Sequence, residues 1–372
     1  MRSHPVPAFI RQEWFLGVTL VTCLLFHLQG KFLFSYLSNP FCLGFVFICL
    51  FTVILGAALS VVRHADHLAA RLGEPYGTLI LTLSVTSIEI ISLSAVMMHG
   101  KNTPTLARDT LFSVVMIILN GMVGLSLFIG AWKHKEQQYN LQGANTYLGV
   151  IIPLAVLSLI LPNYTVTTPG PTLSFLQGTF MIIMSVSLYG AFLVIQTSRH
   201  RGYFTFGNED KAEVHTVSVS SKSSIAPHAF LLALYMLPVV FLAEELAHPV
   251  KYIIETLNAP VALGGMIMAL LVATPEAIGA VRAARANQLQ RSVNIFLGSV
   301  LSTIGLTVPA MLIIGYIDGR NIILGLQHTD IVMLLLTLAV SVVTFASGRT
   351  NVLQGIVHLI LFAAYLLLVF EG

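Results

Sequence analysis

Long apolar runs alternate with short polar breaks almost from end to end of the chain. Cutting at charge, proline and glycine leaves eleven runs. They lie at about Trp14–Gly30, Pro40–Val62, Gly77–Met98, Asp109–Trp132, Tyr147–Leu161, Pro171–Thr197, Pro227–Leu246, Ala259–Val281, Ser292–Gly315, Thr329–Phe345 and Asn351–Phe370. Most are close to the roughly 20 residues that carry a helix across a bilayer's hydrocarbon core. None shows the alternation over about ten residues that marks a transmembrane β-strand. Backbone in lipid must bond within its own segment, so helices are predicted throughout. The expected fold class is an all-α polytopic membrane protein with about eleven transmembrane helices.

Composition narrows the picture. Of 372 residues, 56% are hydrophobic and 9% charged, and the mean hydropathy is +0.86. A soluble domain carries about 25% charged residues. That excludes a cytosolic enzyme, a disordered regulator and a nucleic-acid binder; the surface faces the lipid bilayer. Cys23, Cys42 and Cys49 fall in the first two runs and offer neither a disulfide framework nor zinc spacing. Arg2 and Arg11 precede the first run as in a signal peptide, but no small-residue cleavage site follows, which predicts a retained first span. With the N-terminus inside, 14 Lys and Arg fall on the cytoplasmic side and five outside. That is the direction of the positive-inside bias, and it predicts a cytoplasmic N-terminus and an external C-terminus.

The longest polar stretch, Ser198–Ala226, sets the domain organisation. Residues 1–39 hold the first helix, 40–197 and 227–372 hold five helices each, and 198–226 form a cytoplasmic linker with no chemistry assigned. Five is odd, so the two halves enter the membrane from opposite sides. Inverted repeats of this kind typify secondary transporters, whose sites lie near the midplane.

Sixteen acids are present, and most sit at helix ends or in loops. Glu89 and Glu276 do not. From Thr78 to Glu89 is about 17 Å of helix, and from Ala262 to Glu276 about 21 Å. Both therefore lie near the centre of a slab about 30 Å thick, approached from opposite faces. An ionisable side chain at that depth costs about 2.5–3.5 kcal/mol on insertion scales. One such Glu can be a protonated, hydrogen-bonded structural residue. Two at corresponding places in inverted halves point to a site. With Glu89 set on Glu276, Leu83 falls on Leu270, Val85 on Val272 and Ser87 on Thr274. Ser84, Thr86, Ser87 and Thr274 add hydroxyl oxygens, and Pro275 leaves the Leu271 carbonyl without its helical donor. Oxygen ligands suit hard cations such as Ca²⁺; Ser and Thr also glue membrane helices together. In the following helices Ser113 and Asn120, then Asn294, Ser299, Ser302 and Thr303, are candidates to complete a cation shell. Gly121, Gly124, Gly298 and Gly305 point equally to close helix packing there.

Gly73-Glu-Pro-Tyr-Gly-Thr…Glu89 and Ala273-Thr-Pro-Glu276…Gly298-Ser-Val-Leu-Ser302 resemble the two alpha repeats of the calcium:cation antiporter superfamily. Within it, Val61-Val-Arg-His-Ala-Asp66, Leu72-Gly-Glu-Pro-Tyr-Gly77 and Gly348-Arg-Thr-Asn-Val-Leu353 resemble the bacterial calcium/proton antiporters that also move sodium and potassium. The likeness covers the chain from about Ser60 onward. It implies an exchanger of two inverted repeats in a bacterial inner membrane. Glu89 and Glu276 would bind cation and proton alternately, with Ca²⁺, and also Na⁺ or K⁺, exchanged for H⁺.

Weaker signals remain. Arg63-His64-Ala65-Asp66-His67 sets two imidazoles beside a carboxylate, as in a metal site or a pH sensor, or as in an amphipathic stretch at the membrane interface. Glu244 and Glu245 are expected to end the seventh helix, and Asp109 and Asp330 to start helices, where a negative charge suits the dipole. His358 reads as an interhelical hydrogen bond. The chain has no His-Glu-x-x-His pair, no P-loop and no Gly-x-Ser-x-Gly elbow, so neither an enzyme nor a nucleotide partner is expected. No cofactor is implied; the partners are inorganic cations and protons. A cation channel lined by the same acids and an intramembrane hydrolase are the alternatives, separated from an antiporter by whether cation and proton fluxes are locked together.

Overall fold

The computed structural model describes residues 13–72, 76–99, 104–205, 225–257, 259–260 and 262–371. Among them stand eleven long helices: α1 Trp14–Ser35, α2 Pro40–Leu72, α3 Tyr76–His99, α4 Leu106–His134, α5 Leu141–Asn163, α6 Phe175–Arg199, α7 Ile225–Thr256, α8 Ala262–Arg285, α9 Leu289–Asp318, α10 His328–Thr344 and α11 Val352–Glu371. Nine are long and apolar enough to cross a membrane; the uninterrupted apolar stretches of α3 and α10 are shorter. The all-helical polytopic fold expected from hydropathy is the one observed.

Local chemistry sets several boundaries. Ser174 and Gln177 form a reciprocal capping box that starts α6. Asn140 caps α5 by accepting from the Gln142 amide at 3.0 Å. Gly319, in the left-handed region at φ 64°, ends α9. One expectation is corrected. α7 does not stop at Leu246 but continues through Pro249 to Thr256, so Glu244 and Glu245 lie inside it. Proline removes a single backbone donor, and burial of Leu246, Pro249 and Val250 offsets that loss.

Two apolar clusters organise the bundle. The larger draws mainly on α3 to α6 and α8 to α11. The smaller joins α1, α2 and α7 through Phe26, Leu50, Tyr235 and Leu242, and reaches Ile88 of α3 and Leu271 of α8. α4, α8 and α9 are the most enclosed of the membrane-length helices. Two short strands, β1 Gln137–Gln138 and β2 Arg349–Thr350, pair antiparallel with Gln137 opposite Thr350. They tie the α4–α5 connection to the α10–α11 connection. α4 and α9 are each broken by a π-helical turn, at Ile117–Met122 and Thr303–Thr307. Such turns recur at functional sites.

The histidine stretch turns one face inward and leaves Arg63 and Asp66 part-exposed. α2 runs straight through it and His64 is fully buried. Glu13 Oε2, just ahead of α1, accepts from Arg63 at 2.6 Å and Tyr235 at 3.0 Å, and lies 3.4 Å from His64 Nε2. His64 Nδ1 stands 3.1 Å from His228 Nδ1, and the His67 ring stacks on His228 at 4.7 Å. Asp66 pairs with Arg291 of α9 at 3.4 Å. The cluster binds α1, α2 and α7 together. Asp109 and Asp330 do sit in first helical turns.

Candidate cation site

α3 and α8 are each 24 residues long, with Glu89 fourteenth in one and Glu276 fifteenth in the other. Both acids are buried, at 2% and 0% exposure. The acids hold matching partners from one helix. Glu89 Oε2 accepts from Thr303 Oγ1 at 2.8 Å, and Glu276 Oε2 accepts from Ser299 Oγ. In each case the second oxygen, Oε1, is buried with no hydrogen-bond partner among the described residues. Orphaned buried oxygens are rare because desolvation without a bond is costly. Two of them belong to acids that are held by hydroxyls one turn apart on α9.

α9 supplies the hydroxyls because Ser299, Thr303 and Thr307 recur every four residues along one face. Thr307 Oγ1, one turn beyond Thr303, and Ser92 Oγ of α3 are buried without a hydrogen-bond partner among the described residues. Sequence reasoning missed Ser92 and Thr307 as site candidates. Their signal was spacing, three residues beyond Glu89 and four beyond Thr303. Thr86 Oγ1 and Ser302 Oγ bond at 2.8 Å across the α3–α9 seam, and Ser302 donates to the Ser299 carbonyl at 3.0 Å.

Other expected ligands point elsewhere. Ser84 and Ser87 donate to the carbonyls of Ile80 and Leu83, each at 2.7 Å, and Thr274 donates to that of Leu270. These hydroxyls serve their own helices. Asn120 is corrected outright. It sits in the π turn of α4 and faces α10 and α11, donating to Thr337 at 2.8 Å and meeting His358 Nδ1 at 3.4 Å. His358 Nε2 bonds Thr344 at 2.9 Å, an interhelical role as expected. Ser113 accepts from the Tyr365 hydroxyl at 2.8 Å. Asn294 donates to the Phe204 carbonyl at 2.8 Å. For Gly124 the packing explanation holds: a Cβ would stand 2.9 Å from the Leu359 amide and 3.1 Å from the Gly355 carbonyl.

An apolar cavity adjoins the acids, bordered by Ile54, Val85, Ile88, Val239, Met268 and Pro275. No group of three or more His, Cys, Asp or Glu able to hold a metal occurs among the described residues. The oxygens gathered around the two acids belong to carboxylates and hydroxyls. That donor set suits Ca²⁺ and the alkali cations and disfavours softer metals.

A lipid-embedded bundle with two buried acids and unpaired oxygens at its centre defines a membrane transporter for cations. The sodium/calcium exchanger protein family matches residues 43–198 and 227–371, and the chain belongs to that family. It is an antiporter and not an enzyme. The sodium-potassium/proton antiporter ChaA of Escherichia coli (strain K12) is 42% identical over 320 residues, 85% of this chain and 86% of that protein. The Ca²⁺/H⁺ antiporter ChaA of Bacillus subtilis (strain 168) is 22% identical over 344 residues, 90% of this chain and 93% of that one. The solved structure of native YfkE superposes with a TM-score of 0.73 at 18% identity, covering 96% of this chain and all of that one, and so shares the fold. Of the motifs that carried the resemblance, Gly73, Glu74 and Pro75 lie outside the described residues, as do 206–224 of the linker.

Proposed function

We propose that the protein exchanges cytoplasmic Ca²⁺, and Na⁺ or K⁺ as well, for H⁺ across a bacterial inner membrane, with Glu89 and Glu276 binding cation and proton in turn. Its N-terminus is cytoplasmic and its C-terminus external, and the linker 198–226 joins the five-helix units 40–197 and 227–372. The observation that carries the proposal is the pair of buried Oε1 atoms without hydrogen-bond partners among the described residues. Two ionised carboxylates close together in a low dielectric repel strongly. Either a cation or protons relieve that repulsion, so the two loads compete for the same oxygens. A divalent cation replaces two protons and a monovalent cation replaces one. The doubly ionised, unloaded pair is the state least able to change sides, and exchange follows from that exclusion. Ser299 and Thr303 hold the other carboxylate oxygens in place, while Thr86 and Ser302 close the seam beside them.

The test is proton movement in sealed proteoliposomes under an imposed pH gradient, with Ca²⁺, Na⁺, K⁺ or Mg²⁺ added separately. Cation-specific collapse of the gradient is expected, and its loss in Glu89→Gln and in Glu276→Gln. Cation flux without proton movement would instead favour a channel. Normal exchange in both variants would remove the two acids from the mechanism.

A further inference from the structure

A second cavity lies along the α3–α9 seam, towards the end of the bundle where α6 finishes. Thr82, Tyr147, Tyr189, Gln196, Asn294 and Gly298 border it, and all five of these side chains are buried. Leu79 and Phe192 complete its lining, which carries more polar groups than that of the cavity beside the acids; Gln196 Nε2 donates to the Tyr147 hydroxyl at 2.9 Å. On α3, Thr82, Thr86 and Glu89 are spaced four and three residues apart, which sets them on one face. On α9, Asn294, Gly298 and Ser302 answer them at intervals of four. The stripe runs from the cavity through the Thr86–Ser302 bond to Glu89, about 10 Å along the helix. Polar enclosed spaces of this sort hold water, whereas apolar ones stay dry.

Phe204 packs against two of the residues that line this cavity, Tyr147 and Phe192. Phe204 belongs to a short 3₁₀ turn, Arg201–Phe204, just beyond α6. Arg201 and Gly202 are exposed, yet Phe204 is fully buried. Its ring meets Tyr147 edge-on at 5.4 Å and Phe192 at 5.6 Å. The turn is strapped down at both ends: Asn140 Nδ2 donates to the Gly202 carbonyl at 2.9 Å and Asn294 Nδ2 to the Phe204 carbonyl at 2.8 Å. Gly143 lets the strap pass, since a Cβ there would collide with the Tyr203 carbonyl. Asn294 thus both lines the cavity and fastens the backbone that carries the Phe204 ring.

We propose that Phe204 is the plug of the cytoplasmic ion path, and that the polar cavity behind it is the antechamber from which a partly hydrated cation or hydronium reaches Glu89 and Glu276. The proposal rests on the antiporter reading and on the sidedness given by the Lys and Arg distribution. A cation entering the cavity competes for the oxygens and the water there, and water bound to Asn294 weakens its hold on the Phe204 carbonyl. Loading and unplugging are coupled through that one amide.

Thiol accessibility tests the plug independently of transport. With Cys23, Cys42 and Cys49 changed to Ser, Thr82→Cys is exposed in inside-out membrane vesicles to a small, cationic, membrane-impermeant methanethiosulfonate. Reaction is expected to be slow with Phe204 and about tenfold faster or more with Phe204→Ala, a loss of about 1.4 kcal/mol of closure per factor of ten. Phe204→Trp stays slow, and right-side-out vesicles show no acceleration, which separates unplugging from unfolding. Gln196→Cys is the second reporter and accelerates in parallel. Equal rates with Phe204 in place and with Phe204→Ala, or acceleration only from the opposite face, overturns the plug. Normal exchange in Glu89→Gln with the Phe204 effect intact overturns the two-acid site and leaves the plug standing.

Discussion

α4 and α9 follow the two acid-bearing helices, and a π turn breaks each of them, yet the two turns do opposite work. In α9 the turn and the residues before it aim Ser299, Thr303 and Thr307 at the acids, with direct bonds to Glu276 and Glu89. In α4 the turn swings Asn120 away, into a chain of bonds with Thr337, His358 and Thr344. Nearby, Gly124 brings α4 against the backbone of α11. Repeated architecture has therefore reproduced the acid and the backbone irregularity without reproducing the ligand set. One half supplies the hydroxyls; the other anchors its π turn to the outer helices.

The largest effect expected on that comparison comes from the acids, which both halves contribute. Glu89→Gln and Glu276→Gln each remove one of the two carboxylates that carry the loads, and a loss of at least about 100-fold in exchange rate is expected, about 2.7 kcal/mol at about 1.36 kcal/mol per factor of ten. A clear inequality between them in proteoliposomes would show that the acids are as unequal as the helices behind them. Ser299→Ala and Thr303→Ala come next. Each leaves a carboxylate oxygen unpaired, a loss of about 1.5–3 kcal/mol, seen as about a tenfold or larger change in the cation concentration that half-collapses the gradient. The matching change in α4, Asn120→Leu, is expected to leave that concentration alone. It strands Thr337 and His358 and lowers stability by about 1–3 kcal/mol, read as a drop in thermal midpoint in detergent. A shift in cation dependence with Asn120→Leu would restore Asn120 to the site and erase the asymmetry. The smallest effect belongs to Ser87→Ala. Its hydroxyl serves only the Leu83 carbonyl, so stability within about 0.5 kcal/mol and unchanged exchange are expected.

Much of this was open to a reader of the chain. Runs of apolar residues count helices because backbone in lipid has so few options. Glu89 and Glu276 stood out because charge at mid-membrane is expensive and is kept only for use. Neighbouring oxygens were harder to judge. Thr86, Ser302, Ser299 and Thr303 were in the candidate set along with Ser84, Ser87, Thr274 and Asn120, all on the same grounds of residue type and proximity in sequence. Ser and Thr satisfy themselves on the i−4 carbonyl as readily as on a neighbour, and only the rotation of each helix decides which they do. Glu244 and Glu245 end the apolar run by their charge alone; buried packing carries α7 past them. His64 looked interfacial until Glu13, His228 and Tyr235 closed over it from two other helices.

By itself, then, the sequence determined that the chain is a membrane bundle of eleven helices with two acids at its centre. Those properties are local: hydropathy, length and the cost of a charge are summed along one segment. Tertiary structure alone decided that Thr303 reaches Glu89, that Asn120 turns outward, that Ser92 and Thr307 lack partners among the described residues, and that Phe204 packs against the walls of a second cavity. Each of these joins residues far apart in the chain, through helix rotations and π turns that no periodicity records.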